Sequence, residues 1–293
     1  MNSLKIAINN KTNLTVQLEK KYEVSYYNKP SFFSKILLKE DKYPDLYFHK
    51  GYLSSEAVRL IENSKIVIVT SNSAKKEIVN KISHMDISKI HVNYPYLMES
   101  REYDKSLKKA LKEKFAIDKK SKIIFFRGND LQKNGLDVVF DIISRMYKQN
   151  FTLIIESTSK QINPLKMQME RSDVQFKYIL LEDYPKIEEL FILSDIFIMP
   201  TKQKYFSSDV LKAMYYRNAV FVMEANPASE IIDTFSLIQS SEDRSVSFKV
   251  DSLLINKEEL KKIQKENQKI ALNLGLSNSI DKISKIITNS FDI

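Results

Sequence analysis

Between Phe126 and Asp137 the sequence reads Phe-Arg-Gly-Asn-Asp-Leu-Gln-Lys-Asn-Gly-Leu-Asp, with Arg127 and Lys133 set around a turn that precedes an apolar helical run. Cations beside a helix N-terminus can hold a pyrophosphate and stabilise the charge that grows on it as it leaves. A Gly-Asn-Asp turn whose Arg and Lys face solvent would produce the same residues, so both readings stay open. Metal chemistry has little to stand on. There is no cysteine, and the histidines, His49, His84 and His91, lie too far apart to suggest a zinc motif. No glycine-rich dinucleotide fingerprint is present among the four glycines.

Elements able to position such a site alternate along the chain. Short β-like runs at Lys5–Ile8, Glu23–Tyr27, Asp45–His49, Lys65–Thr70 and Ile90–Asn93 are interleaved with helical spacing at Ser54–Glu62 and Ser73–Ile82. Each of those two helices opens on a serine suited to the N-cap. Further on, strands are predicted at Lys122–Phe126, Phe151–Glu156, Val174–Ile179, Ile196–Met199, Ala219–Met223 and Ser236–Gln239. Helices are predicted at Leu136–Lys148, Pro164–Arg171, Tyr184–Leu193, Ser208–Tyr216 and from Ala228, with two more at Lys257–Ala271 and Ser279–Ile287. Such alternation predicts parallel α/β sheets, which place ligands at the carboxyl ends of their strands.

A length of 293 residues suits two α/β domains. No apolar run is long enough to span a bilayer, and Met1–Asn10 lacks the build of a signal peptide, so a cytoplasmic setting is expected. The net charge of +9 favours anionic partners, but no aromatic-basic signature points to nucleic acid. From Glu99 to Lys122 the chain becomes polar, with Lys105, Lys108, Lys109, Lys112, Lys114, Lys119, Lys120 and Lys122 crowded together. We expect the domain boundary here. The run reads either as a surface for peripheral contact with anionic lipid or as a solvated helix.

The segment Leu190–Thr201, Leu-Phe-Ile-Leu-Ser-Asp-Ile-Phe-Ile-Met-Pro-Thr, resembles the helix, Ser/Ala-Asp, apolar strand and Pro-Ser/Thr order of retaining GT-B glycosyltransferases, the glycosyl transferases group 1 type. Phe206, Leu211, Ala213, Met214, Val220 and Glu230-Ile231-Ile232 fall where that family has a Phe, a Leu-Glu-Ala-Met helix, a strand and a Glu-Ile-Ile helix start. Phe126–Asp137 resembles its donor-diphosphate loop, and Tyr47–Gly51 resembles the strand end that presents a His.

The resemblance implies an α/β protein of two Rossmann-like domains facing a cleft, the N-terminal one short for the family. Residues 1–100 would form the acceptor side, 101–272 the nucleotide-sugar side, and 273–293 a helix packing back on the first domain. Arg127 and Lys133 would hold the diphosphate of a UDP- or GDP-sugar substrate, with no separate cofactor or metal. Lys204, Lys212 and Glu230 would line the donor site, and His49 would orient a sugar. The family's two glutamates, seven residues apart, correspond here to Lys204 and Lys212. An ammonium accepts no hydrogen bond from a ribose hydroxyl and cannot offset oxocarbenium charge. Asp209, Glu224 and Glu230 are the carboxylates near enough in sequence to take over, and Asp209 is the catalytic candidate. A glycan, lipid-linked or protein acceptor is implied, in surface glycan assembly. The rival expectation is an inactive subunit that binds a partner transferase.

Overall fold

In a computed structural model, residues 4–8, 11–27, 43–98, 103–147 and 150–291 are described. They fall into two compact units, Met1–Met98 with Leu274–Ile293, and Glu99–Asn273. The expected boundary stretch opens at Glu99, which lies outside the described residues, as do Met1–Ser3, Asn9–Asn10 and Lys148.

The first unit contains a five-stranded parallel sheet. Its strands are β1 (Leu4–Ala7), β2 (Val24–Tyr26), β3 (Leu46–Phe48), β4 (Ile66–Val69) and β5 (Ile90–Val92), in the order β2-β1-β3-β4-β5. Between them run α1 (Asn13–Lys21), α2 (Ser55–Asn63) and α3 (Asn72–Lys81). The Ser54 side chain caps α2 by accepting from the Ala57 N–H, whereas α3 is capped by Ser71, not Ser73. Ser71 is the residue that still has extended backbone, which an N-cap requires. The last helix, Leu276–Phe291, belongs to this unit. Its Ile280, Ile283 and Ile287 share a core with Ile6, Leu18 and Leu46. Spacing of three and four residues puts those isoleucines on one helix face.

The second unit holds six parallel strands, β6 (Lys122–Arg127), β7 (Phe151–Ser157), β8 (Lys177–Glu182), β9 (Ile196–Met199), β10 (Ala219–Met223) and β11 (Leu237–Ile238), ordered β11-β10-β9-β6-β7-β8. Its helices are α4 (Lys105–Lys114), α5 (Leu136–Ser144), α6 (Ser159–Arg171), α7 (Ile187–Leu193), α8 (Ser208–Tyr215), α9 (Ser245–Ile255) and α10 (Lys257–Asn273). Sheets covered by helices on both faces bury whole strands, so β7, β9 and β10 are buried at every position. Strand order reverses between β6 and β9, which makes the space beyond their carboxyl ends the natural ligand position.

Some sequence expectations shift. β8 starts at Lys177, later than Val174, because its register on β7 runs from Thr152↔Lys177 to Ser157↔Glu182. Val174 and Phe176 still pack on the core from the preceding loop, which is why the apolar signal began early. α6 starts at Ser159 and carries Pro164 inside it, ahead of the expected start. The segment from Ala228 is only a 3₁₀ turn, Pro227–Ile231.

The lysine run folds as α4 and is not wholly solvated. Lys108 Nζ donates to the Ser194 carbonyl at 2.8 Å and to Asp195 Oδ1 at 3.1 Å. Lys112 Nζ donates to the carbonyls of Lys119 at 3.0 Å and Ser121 at 2.6 Å. Asp195 also accepts the Ile123 N–H at 2.9 Å and lies 3.7 Å from Lys122 Nζ. One buried carboxylate thereby ties α4 to the entrances of β6 and β9.

Burial alone would raise the pKa of Asp195, but Lys108, Lys122 and the Ile123 N–H together hold it below the ordinary carboxylate value. Its stabilising effect is therefore complete above pH ~4 and fades as pH falls through the depressed folded value. Asp195→Asn leaves Lys108 without its counter-charge and should cost about 3 kcal/mol. Urea melts of both proteins should show this gap at pH 7 and a narrower one as the pH is taken below ~4. Equal midpoints at pH 7 would remove Asp195 from this role.

Candidate functional site

Arg127 ends β6 at the reversal of strand order. Its Nε donates to Glu156 Oε2 at 2.9 Å, and its Nη1 to Asp209 Oδ2 at 2.5 Å. Glu156 comes from the carboxyl end of β7, and Asp209 from the first turn of α8. The guanidinium side chain is 18% exposed, Glu156 6% and Asp209 19%, so Asp209 is the partner that solvent reaches more readily. Burial opposes the charge on Arg127, yet the two carboxylates raise its pKa above the usual value. The cation is permanent and already matched by two acids.

The loop from Gly128 to Gly135 is laced to the surrounding strand ends. Ser157 Oγ donates to the Gly128 carbonyl, Leu131 N–H to Gln161 Oε1, and Thr201 Oγ1 to the Lys133 carbonyl. Asp130 closes the turn by accepting from the Lys133 N–H at 3.1 Å. Gly135 then opens α5 at φ +90°, with no side chain to cap the helix. A Cβ there would lie 2.6 Å from the Pro200 carbonyl oxygen, so the uncapped start of α5 sits directly against the end of β9. The helix dipole at a start without a side-chain cap favours an anion at this edge.

The remaining predicted residues are placed differently. Lys133 turns outward, 74% exposed, and pairs with Asp130 at 3.1 Å. Lys204 is exposed on the loop between β9 and α8. That loop is held by the buried Asn226, whose Nδ2 donates to the Gln203 carbonyl at 2.8 Å. Lys212 is half-buried, three residues after Asp209 and so on the same face of α8. Glu230 is half-buried in the Pro227–Ile231 turn, while Glu224 is exposed.

Direct contact joins Arg127 and Asp209 of the predicted set and adds Glu156, while Asn226 holds the neighbouring loop; the sequence reading missed both Glu156 and Asn226. Glu156 had a signal of its own, a lone acid closing an apolar buried strand. Asn226 had none beyond standing before a proline.

His49 belongs to the first unit, just beyond β3 where that sheet reverses between β1 and β3. It is 5% exposed, and Nδ1 lies 3.3 Å from the Tyr47 hydroxyl. Burial lowers its pKa despite Glu77 and the Gly51 backbone, so its imidazole is neutral at pH 7. Among the described residues no three His, Cys, Asp or Glu side chains gather to hold a metal. Nor is any described helix long and apolar enough to cross a membrane.

Comparison with known proteins supplies context. The family model described as glycosyl transferases group 1 matches residues 108–270. No curated protein matches by sequence. Among solved structures, a glycosyltransferase from Rickettsia africae is similar at 17% identity and TM-score 0.73, over 99% of this chain and 84% of its own. Anabaena Alr3699/HepE, solved in complex with UDP-glucose, is similar at 15% identity and TM-score 0.67, over 83% and 72%. WaaG, a glycosyltransferase involved in lipopolysaccharide biosynthesis, is similar at 14% identity and TM-score 0.66, over 96% and 85%. At these identities the likeness is one of fold, and it extends to both parallel-sheet units of the GT-B architecture.

Gly51 and Gly135 separate two costs of replacing a glycine. Both have positive φ, but a Cβ at Gly51 meets nothing within 4 Å. Gly51→Ala should cost about 1 kcal/mol, from backbone strain alone. Gly135→Ala must also displace Pro200 and should cost clearly more, about 3 kcal/mol. Chemical denaturation of the two variants checks the order; equal losses would mean that α5 does not pack on β9 as described.

Proposed function

The chain belongs to the glycosyl transferases group 1 family, and from that premise we propose that it moves a sugar from a UDP- or GDP-sugar to a glycan, lipid-linked or protein acceptor. The observation that carries this reading is Arg127, a half-buried, permanently charged guanidinium where the strand order reverses, beside the uncapped start of α5. Its bonds to Glu156 and Asp209 use two of the five N–H donors of a guanidinium, leaving others for a diphosphate. Lys133 is exposed enough to swing onto the same phosphates, and Lys204 and Lys212 add positive field around them.

In this reading the anomeric carbon–oxygen bond to the diphosphate breaks and the acceptor oxygen bonds to the same carbon. Arg127, Lys133 and the α5 dipole stabilise the departing nucleoside diphosphate, without calling on a metal for that role. The acceptor proton goes to a carboxylate or to the neutral imidazole. We assign Asp209 as the nearer candidate on the donor side and His49 to a sugar, with Glu230 at the donor. Lys204 and Lys212, in place of two glutamates, suit a donor whose sugar carries its own carboxylate. The absence of cysteine fits a cytoplasmic setting, and assembly of surface glycans is the pathway we favour.

Two observations favour a second reading. Arg127 already meets two acids, and lysines stand where the family resemblance calls for glutamates. An inactive subunit that steadies a partner transferase would tolerate both features.

Thermal melts with UDP, GDP, ADP and their glucose conjugates separate the two. A bound donor at one hundred times its Kd should add about 2.7 kcal/mol of stability, and Lys133→Ala should weaken that gain. Release of UDP or GDP from the stabilising sugar nucleotide would then establish turnover. No shift with any nucleotide would favour the inactive subunit.

A further inference from the structure

At the opposite edge of the same sheet lies a cavity of about 630 Å³. Lys112, Lys119, Lys120, Lys122 and Lys257 line it, with Asp195 as its acid. Lys122 begins β6 and Arg127 ends it, so the two edges are about 17 Å apart along that strand. We propose that this cavity is a second anion site, which takes a phosphate-bearing ligand independently of the donor edge.

Charge is the first argument. Asp195 is already committed to Lys108, Lys122 and the Ile123 N–H. Lys119, Lys120 and Lys257 make no close ion pair among the described residues, Asp118 acting on Lys120 only at longer range, and all three line one cavity. Like charges held together in this way are destabilising until an anion neutralises them.

The middle of the cluster supports the same conclusion. Lys112 is half-buried, and its ammonium is held by the Lys119 and Ser121 carbonyls, which fixes one cation at the cavity wall. Burial lowers its pKa, and Lys108 and Lys122 push the same way against Asp195 and Asp118. A phosphate would reverse that pressure.

The wall is not wholly polar. Leu254 and Ile255, at the end of α9, complete it, and Ile255 is 60% exposed. Phe248, two helical turns back on α9, is also exposed and rests on Tyr147, with ring centroids 6.2 Å apart. A phosphate joined to an apolar group would meet both halves of this surface. One phosphate chemistry has two sources here, a soluble polyphosphate or the headgroup of a lipid in a bilayer.

The test uses the full chain and the exposed lysines, whose reversal leaves the core untouched. Wild type, Lys119→Glu/Lys120→Glu/Lys257→Glu and a control of equal charge on exposed lysines of the first unit, Lys20→Glu/Lys282→Glu/Lys285→Glu, are titrated with inorganic pyrophosphate by calorimetry. The same proteins are co-sedimented with phosphatidylglycerol vesicles and with phosphatidylcholine vesicles. The cavity variant should lose about a hundredfold or more in affinity for at least one anionic probe, while the control stays within a few fold of wild type. A loss confined to pyrophosphate identifies a soluble ligand, and a loss on phosphatidylglycerol identifies a lipid. A wild type that binds neither probe, or equal losses in both variants, would overturn the proposal. Because the donor edge is unaltered in every protein used, failure here leaves the transferase reading standing.

Discussion

A guanidinium that is 18% exposed has to be paired, and Arg127 is paired twice. That requirement draws together the end of β6, the end of β7 and the first turn of α8, which are far apart in the chain. The Gly128–Gly135 loop and the loop that carries Lys204 are then held to the same edge by Ser157, Thr201 and Asn226. The price of this organisation is that the cation is matched before any ligand arrives. In the donor-binding mode proposed above, a phosphate would share Arg127 with Glu156 and compete with Asp209. Of the two, Asp209 is the more exposed and stands on a helix start, not inside the sheet, so it is the one that can yield.

The opposite edge of the sheet has the reverse balance. There a single buried acid, Asp195, is surrounded by Lys108, Lys112 and Lys122, with further lysines beyond it. Its ion pairs join α4 to the entrances of β6 and β9, so the lysine-rich stretch is part of the domain it precedes. The net charge of +9 is thus unevenly spent: acids are concentrated on Arg127, while lysines are left in excess around the amino ends of the strands.

Much of the scaffold was legible because parallel strands buried on both faces read as unbroken apolar runs. Ile196–Met199 and Ala219–Met223 have the expected bounds for that reason. β8 did not, since its outer register is set by β7 and its apolar signal came from the loop before it. α1 and α9 were not anticipated. α1 is mostly polar with only Leu14, Thr15 and Leu18 buried, and α9 has too little amphipathic contrast to stand out. In the site, the types and positions of Arg127 and Asp209 were legible, but their contact spans 82 residues and no local pattern encodes it. The same holds for Asp195, visible as a motif residue, while its partner Lys108 lies 87 residues earlier in what read as a boundary.

The central claim is that Arg127 is a phosphate-binding cation held in reserve by Asp209. Calorimetric titration of UDP into wild type, Asp209→Asn and Arg127→Ala tests it most directly. Removing the competing charge at Asp209 should tighten UDP binding several-fold, and removing the guanidinium should abolish it. Unchanged affinity in both variants would contradict the claim and place any nucleotide site elsewhere in the molecule.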